Sequence, residues 1–222
     1  MHIPDGYLGP ATCGVFYAVM LPVWTLASKI VKQTLKAKQV PMLAIGAAFS
    51  FVVMMFNVPI PGGSTGHAVG GVLVAILLGP WAACIAITVA LVVQALLFGD
   101  GGITAIGANC FNMAFVLPFV GYYTYKAISY RSQTLSKRRV VAAGIAGYVA
   151  LNLAALFTGV EFGLQPLLHH TANGQSLYCP YGLKAAVLAM AGGHLLVVGF
   201  IEALVTALVV KYLQKQTPSC FQ

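Results

Sequence analysis

From Gln39 to Gly99 the chain runs for 61 residues without a single Asp, Glu, Lys or Arg, and His67 is the only ionisable side chain in that stretch apart from Cys84. Laid out as one helix it would be about 90 Å long, roughly three times the hydrocarbon thickness of a bilayer. It must therefore be cut into pieces. Pro59 to Gly66 is a turn-rich loop, and Gly79-Pro80 is a second break. The spans expected between these breaks are about 41–57, 67–79 and 81–98. The rest of the chain agrees with this reading. Only 7% of all residues are charged and the mean hydropathy is +0.89, whereas soluble domains carry about 25% charged residues. The expected class is an all-α polytopic membrane protein, residues 1–222 forming a single membrane domain.

Four further spans are expected at about 12–28, 104–125, 140–158 and 185–210, with a long loop between the last two from Gly159 to Gly182. Basic residues flank the cytoplasmic side of membrane spans. With seven transmembrane helices, the N-terminus outside and the C-terminus cytoplasmic, eleven of the twelve Lys and Arg residues fall inside. Only Lys184 falls outside. If 67–98 made one crossing, the loop holding Lys126, Arg131, Lys137, Arg138 and Arg139 would lie outside instead. The net charge of +8 is thus a topology signal, since no soluble basic domain exists to carry a nucleic-acid surface.

The same parity brings Met1 to Gly6, the approach to His67, Asp100, and the loop with His169 and His170 to the outer face. The terminal Met1-His2 is a chelator by its covalent structure. The free amine and the Met1–His2 amide nitrogen close a five-membered ring with a metal, and the amide and His2 Nδ1 close a six-membered ring. Three nitrogens in a plane leave one in-plane position, which His67 can supply. Such a site points to Ni(II) or Cu(II), because Zn(II) prefers a tetrahedron. Many chains begin Met-His with a disordered terminus, and a histidine at a helix entrance often serves as a cap. Two histidines on one membrane face favour the chelate. At ordinary pKa values, about 8 for the amine and about 6.5 for imidazole, metal affinity is expected to fall between about pH 8 and pH 6. No basic residue precedes the first apolar run and no small-residue cleavage site follows a short one, so the terminus is expected to persist.

Ligating histidines commonly donate their second ring N–H to an acceptor, which makes Asp5, Ser64, Asp100 and Asn109 candidates for that support. Asp5 follows Pro4 in a turn-favouring sequence and can also hold the N-terminal segment, residues 1–10, in place. Ionisable groups within spans are functional hypotheses. His194 and Glu202, eight residues apart, fit either an ion path or hydrogen bonds to a neighbouring helix. His169-His170 read as a surface metal collector or as polar residues of a lid. Cys13, Cys84, Cys110, Cys179 and Cys220 form no C-x-x-C pair and read as small apolar residues.

Several activities lack their signatures. No G-x-x-x-x-G-K-[ST] loop exists, because Gly62-Gly63-Ser64-Thr65-Gly66 has no lysine, so the chain is not expected to be an ATPase or any other enzyme. H-E-x-x-H and G-x-S-x-G are absent, which weakens a membrane-embedded metalloenzyme or hydrolase. An intramembrane aspartyl protease needs two carboxylates in one site, and beside Asp100 the only other aspartate is Asp5. An autonomous channel or secondary transporter would show paired helix breaks in two halves, and only Gly79-Pro80 is clear.

Met1-His2-Ile3-Pro4-Asp5-Gly6-Tyr7-Leu8, together with Pro61-Gly62-Gly63-Ser64-Thr65-Gly66-His67-Ala68, resembles the NikM/CbiM family. These are substrate-capture subunits of energy-coupling factor transporters for nickel and cobalt. The likeness extends over the whole chain in hydropathy and loop order, and Gly107-Ala108-Asn109 is also family-like. Pro4-Asp5 resembles the nickel branch, where the cobalt branch usually reads Met-Glu. The resemblance implies seven helices, Met1, His2 and His67 as carriers of the ion, and Ni2+ as transported substrate with Co2+ as the alternative. It implies partners that supply the energy, namely a transmembrane coupling protein and paired ATPases, and it admits a small accessory membrane subunit. The implied location is the bacterial cytoplasmic (inner) membrane.

Overall fold

A computed structural model describes residues 1–60 and 64–217, with only the backbone of Ser64. Pro61, Gly62 and Gly63 of the loop motif, the Ser64 side chain, and Cys220 lie outside the described residues. Among the described residues the regular structure is helical, as the composition requires, apart from one small hairpin and an isolated bridge between His170 and Ser176. Helix α1 spans Pro10–Thr34 and α2 spans Val40–Met55. Strands β1 (Val58–Ile60) and β2 (Ser64–Gly66) pair antiparallel, Val58 opposite Gly66. The short α3 (Gly71–Leu78) and α4 (Pro80–Val93) follow. Next come α5 (Ile106–Asn109), α6 (Leu117–Ile128), α7 (Lys137–Leu168), α8 (Leu183–Gly193) and α9 (Gly199–Gln216). Among the described residues three π-helical stretches prolong or join these: Gln94–Phe98, Cys110–Val116 and His194–Val198.

Among the described residues, five helical stretches are long and apolar enough to cross a membrane: Pro10–Thr34, Ala37–Met55, Pro80–Phe98, Lys137–Leu168 and Leu183–Gln216. Large apolar side chains such as Leu97, Phe98, Leu196 and Phe200 are exposed along them, as lipid-facing surfaces require. The expected 67–79 element is shorter than the sequence suggests. Gly70 has φ +73°, a left-handed conformation that blocks helix on its N-terminal side, and Gly79 at φ +88° ends the helix after eight residues. At about 12 Å this helix is far shorter than a bilayer core, and residues 71–76 are buried inside the protein.

One expectation is corrected. Residues 159–168 do not belong to an outer loop; they are the last turns of α7, which runs unbroken to Leu168. Gly159 and Gly163 look like loop residues but are packing residues. A side chain at Gly163 would collide with the Leu183 backbone, and one at Gly159 would stand 3.0 Å from Val187 Cα. Small residues let neighbouring membrane helices approach closely. Ala142, Ala143, Ala146, Gly147, Ala150, Ala154 and Ala155 are buried further along α7, which packs against α6, α8 and α9. Pro166 falls in the final turn, near the end of the helix.

The N-terminal segment enters this bundle instead of lying on it. Ile3 and Leu8 are buried with Cys13, Ala105 and Ala108, and Phe16 and Phe162 pack against them. That burial pins the first residues of the chain at a fixed depth.

Candidate metal site

The main chain of Ile3 is held from both sides by Asn109 on α5. Asn109 Oδ1 accepts the Ile3 N–H at 2.8 Å, and Asn109 Nδ2 donates to the Ile3 carbonyl at 3.0 Å. Gly102 N–H also donates to that carbonyl, at 2.8 Å. Asp5 accepts from Ile103 N at 3.1 Å, from Thr104 N at 2.9 Å and from the Thr104 hydroxyl. The hydroxyl bond most of all holds the Asp5 carboxyl below the usual carboxylate range. The exit of the segment is fixed by Gln165 on α7, whose Oε1 accepts the Gly9 N–H at 2.9 Å. Cys179 N–H donates to the Tyr7 carbonyl at 3.2 Å.

Thus anchored, three nitrogens meet. His2 Nδ1 lies 3.0 Å from His67 Nε2, and the Met1 amine lies 3.5 Å from the same atom. The outer faces of both rings determine what these atoms carry. His67 Nδ1 is 3.0 Å from the Ala68 carbonyl, which only accepts, so Nδ1 holds the proton and Nε2 a lone pair. His2 Nε2 is 3.2 Å from Gln94 Oε1, with Gln94 Nε2 turned toward Met55 Sδ, so the His2 proton is on Nε2 and its Nδ1 also holds a lone pair. Two imidazole lone pairs face each other with no proton between them. Such a contact is repulsive on its own and becomes attractive when a cation is shared. Among the described residues no three His, Cys, Asp or Glu side chains form a ready metal cluster. The donors here are two side chains and the start of the main chain.

The electrostatics suit a neutral donor set. Burial lowers the Met1 amine to about 6, against a pull the other way from Asp100. Burial lowers His2 to about 3, the Met1 amine adding to the effect and the Gln94 hydrogen bond opposing it. At neutral pH both nitrogens are free bases. Asp100 Oδ1 lies 3.4 Å from His2 Nδ1, on the side of the lone pairs. Burial raises the Asp100 carboxyl, opposed by the Met1 amine. Asp100 therefore does not orient the ring through a ring N–H; Gln94 does. A cavity of about 280 Å³ opens beside these groups, lined by Met1, His2, His67 and Asp100 and by Asn57 and His194 among others.

His67 is held by a residue whose role the sequence left open. Glu202, fully buried on α9, accepts Val69 N–H at 2.7 Å and Gly70 N–H at 3.1 Å. The acid thus fixes the turn that presents His67. His169 is elsewhere: its Nε2 is 3.3 Å from the Thr12 hydroxyl and its ring packs edge-on to Tyr178. His169 and His170 do not line the cavity. Cys13, Cys84, Cys110 and Cys179 are buried free thiols. Gln94, Gln165 and Thr104 were not singled out from the sequence. The only signal for Gln94 was its place as the one amide side chain in an otherwise apolar span.

The chain is 53% identical over 98% of its length to the fused nickel transport protein NikMN of Rhodobacter capsulatus, and spans 63% of that protein. It is 35% identical over 74% of its length to the cobalt transport protein CbiM of Roseiflexus, spanning 64% of it. The crystal structure of a truncated transition metal transporter superposes with a TM-score of 0.91 at 57% identity, covering 97% of this chain and 99% of that one. Residues 2–220 match the family described as the cobalt uptake substrate-specific transmembrane region, and this chain, a membrane protein with that fold, belongs to the CbiM family.

Proposed function

We propose that this chain captures a divalent transition-metal ion, Ni2+ foremost, at the outer face of the bacterial cytoplasmic membrane for ATP-driven uptake by an energy-coupling factor transporter. The ligands are the Met1 amine, the Met1–His2 amide nitrogen, His2 Nδ1 and His67 Nε2. The observation that carries this reading is the approach of His67 Nε2 to both the His2 Nδ1 and the Met1 amine, at 3.0 and 3.5 Å. In a planar chelate the fourth donor stands opposite the amide and beside the other two. Nitrogens at about 2.0 Å from a shared ion and at right angles are about 2.8 Å apart. The distances support a site that closes with a contraction of about 0.2 Å between the two imidazoles and about 0.7 Å between the Met1 amine and His67.

Charge supports it as well. A divalent ion, one deprotonated amide and the Asp100 carboxylate sum to zero, and a neutral sum is the least costly charge state for a partly buried site. Four nitrogen donors in a plane suit the d8 ion Ni(II), which should be low-spin, yellow and diamagnetic. Zn(II) loses its tetrahedron there. Cu(II) outranks Ni(II) in such donor sets, so discrimination rests on availability and geometry. Co(II) is the alternative cargo, favoured by the family description. With seven spans the N-terminus lies outside and the C-terminus inside. With no nucleotide-binding loop in this sequence, the energy comes from a coupling membrane protein and ATPase subunits.

X-ray absorption of the purified chain loaded with Ni2+ tests the site. Four nitrogens near 1.9–2.0 Å, a range slightly below that of tetrahedral zinc sites, are expected. Octahedral, oxygen-rich nickel would reject it. One residue added before Met1 should abolish His67-dependent binding, because His2 moves to the third position and a second backbone nitrogen takes the place meant for His67. Retained tight, His67-dependent binding in the extended chain would also reject the site.

A further inference from the structure

The three π-helical stretches are not scattered at random. The first opens on Gln94, which holds His2. The second begins immediately after Asn109, which holds Ile3. The third opens on His194. Single π-turns inside α-helices recur at functional sites because they re-aim one side chain out of register. Two of the three here already serve the N-terminal segment.

His194 is 3% exposed. Its Nδ1 is 2.8 Å from the Met190 carbonyl, so that nitrogen carries the proton. The other nitrogen, Nε2, is an acceptor with no partner among the described residues. A buried polar atom left unpaired is destabilising, so its retention calls for a partner that arrives later. The ring lines the same cavity as Met1, His2, His67 and Asp100. An imidazole whose tautomer is fixed by a main-chain carbonyl, with its lone pair bare and buried, has the form of a prepared metal ligand.

The cavity is larger than the chelate needs. Water in the liquid occupies about 30 Å³ per molecule, so about 280 Å³ has room for an ion with several waters still attached. A planar four-nitrogen site has no in-plane place for water. A hydrated ion also cannot take the amide nitrogen at once, because that nitrogen gives up its proton only to a metal already held nearby. The ion needs a first donor that is free of protons and does not belong to the final plane.

We propose that His194 Nε2 is a transfer ligand, binding the partly hydrated divalent cation in the cavity and passing it to the Met1–His2–His67 chelate; this rests on the reading of that chelate given above. On arrival one water leaves the ion as the Nε2–metal bond forms. The amine and the two imidazoles, His2 and His67, displace further waters. The amide proton departs to a water in the cavity as the amide–metal bond forms, and the Nε2–metal bond breaks. His194 then contributes to the speed of loading and not to the final affinity. A structural histidine would affect affinity, or neither.

Stopped-flow mixing of the full chain with Ni2+, following the absorption of planar Ni(II), separates these roles. His194→Phe should slow the appearance of that absorption by about tenfold or more, with its final amplitude and the equilibrium affinity within about twofold of the parent's, well short of the 10–100-fold typical of a lost supporting contact. His194→Gln keeps a donor for the Met190 carbonyl and replaces the nitrogen lone pair with an amide oxygen, so it should also load slowly while binding normally. An unchanged rate in both variants overturns the proposal. So does an affinity loss as large as the rate loss, which would make His194 part of the resting site or its scaffold. If the parent itself shows no planar absorption, the chelate reading fails and this proposal fails with it. A normal parent with fast-loading variants rejects only the transfer ligand.

Discussion

Asn109 grips Ile3 through both its polar atoms, accepting the Ile3 N–H and donating to the Ile3 carbonyl. This is the pairing of a β-ladder compressed into one side chain. It sets the depth and rotation of the two residues before it, Met1 and His2. Asn109→Asp removes the donor, and Asn109→Ala removes both groups. Neither residue binds metal in the proposed site, so the expected cost is that of a lost supporting contact, about 10–100-fold in Ni2+ affinity. Calorimetric titration checks it. Binding within twofold of the parent in Asn109→Ala would mean that burial of Ile3 and Leu8 alone positions the terminus.

The two histidines should not be equivalent. His67→Ala leaves the amine, amide and His2 Nδ1 in place with a water in the fourth position. His2→Ala loses the six-membered ring that holds the amide nitrogen on the metal. His67→Ala is expected to weaken Ni2+ about 100-fold, at the upper edge of what outer contacts achieve, and His2→Ala to weaken it further. Titration of both variants in one buffer gives the order. Parent-like affinity in His2→Ala would exclude the N-terminal chelate.

Much of the proposed site was legible in the sequence for physical reasons. A chelate built from the first two residues is written in covalent structure and needs no fold to be seen. His67 stood out as the only histidine in a 61-residue uncharged stretch. What could not be read was support at a distance. Gln94 looks like a tolerated amide in an apolar helix until the fold sets it 3.2 Å from His2. Glu202 was visible as a buried acid, but its partners are backbone N–H groups of Val69 and Gly70, and no side-chain pattern announces them. The true length of α7 was hidden because Gly159, Gly163 and Pro166 have the composition of a loop. Their use as contact surface and as a helix end depends on where α8 lies.

Glu202 gives a further expectation. Glu202→Ala leaves the Val69 and Gly70 N–H groups buried without acceptors, at about 1–3 kcal/mol each. The melting temperature should fall, and Ni2+ affinity should fall with it because the turn before α3 carries His67. Glu202→Gln retains one carbonyl oxygen as acceptor and should be intermediate in both measurements. A Glu202→Ala variant as stable as the parent would contradict the anchoring role.

The proposed orientation can be examined without metal. A cysteine placed at Ser176 should react with an impermeant thiol reagent from outside the cell, and one at Gln133 only after permeabilisation. Cys13, Cys84, Cys110 and Cys179 are buried and should give little background, and Cys220 is changed to Ser in both variants so that it does not report. The reverse pattern would overturn the assignment made from the basic loops.

Proton release offers the sharpest check of the site's chemistry. With ordinary pKa values the amine would compete with the metal below about pH 8. Burial instead lowers the Met1 amine to about 6 and His2 to about 3. A lowered pKa means that the free base persists to lower pH, so proton competition at the amine begins only below about 6. Counting the amide and the amine, Ni2+ binding at pH 7.5 should release about one proton, that of the amide, and at pH 5 about two. Affinity should then fall about tenfold per pH unit above the amine's pKa and more steeply, about a hundredfold per unit, below it. Calorimetry in buffers of different ionisation enthalpy counts the protons directly. About two released at pH 7.5 would show an amine still solvated and protonated in the metal-free protein, contrary to the buried terminus. None released at pH 7.5 would show that the amide keeps its proton, and the planar four-nitrogen site would have to be abandoned.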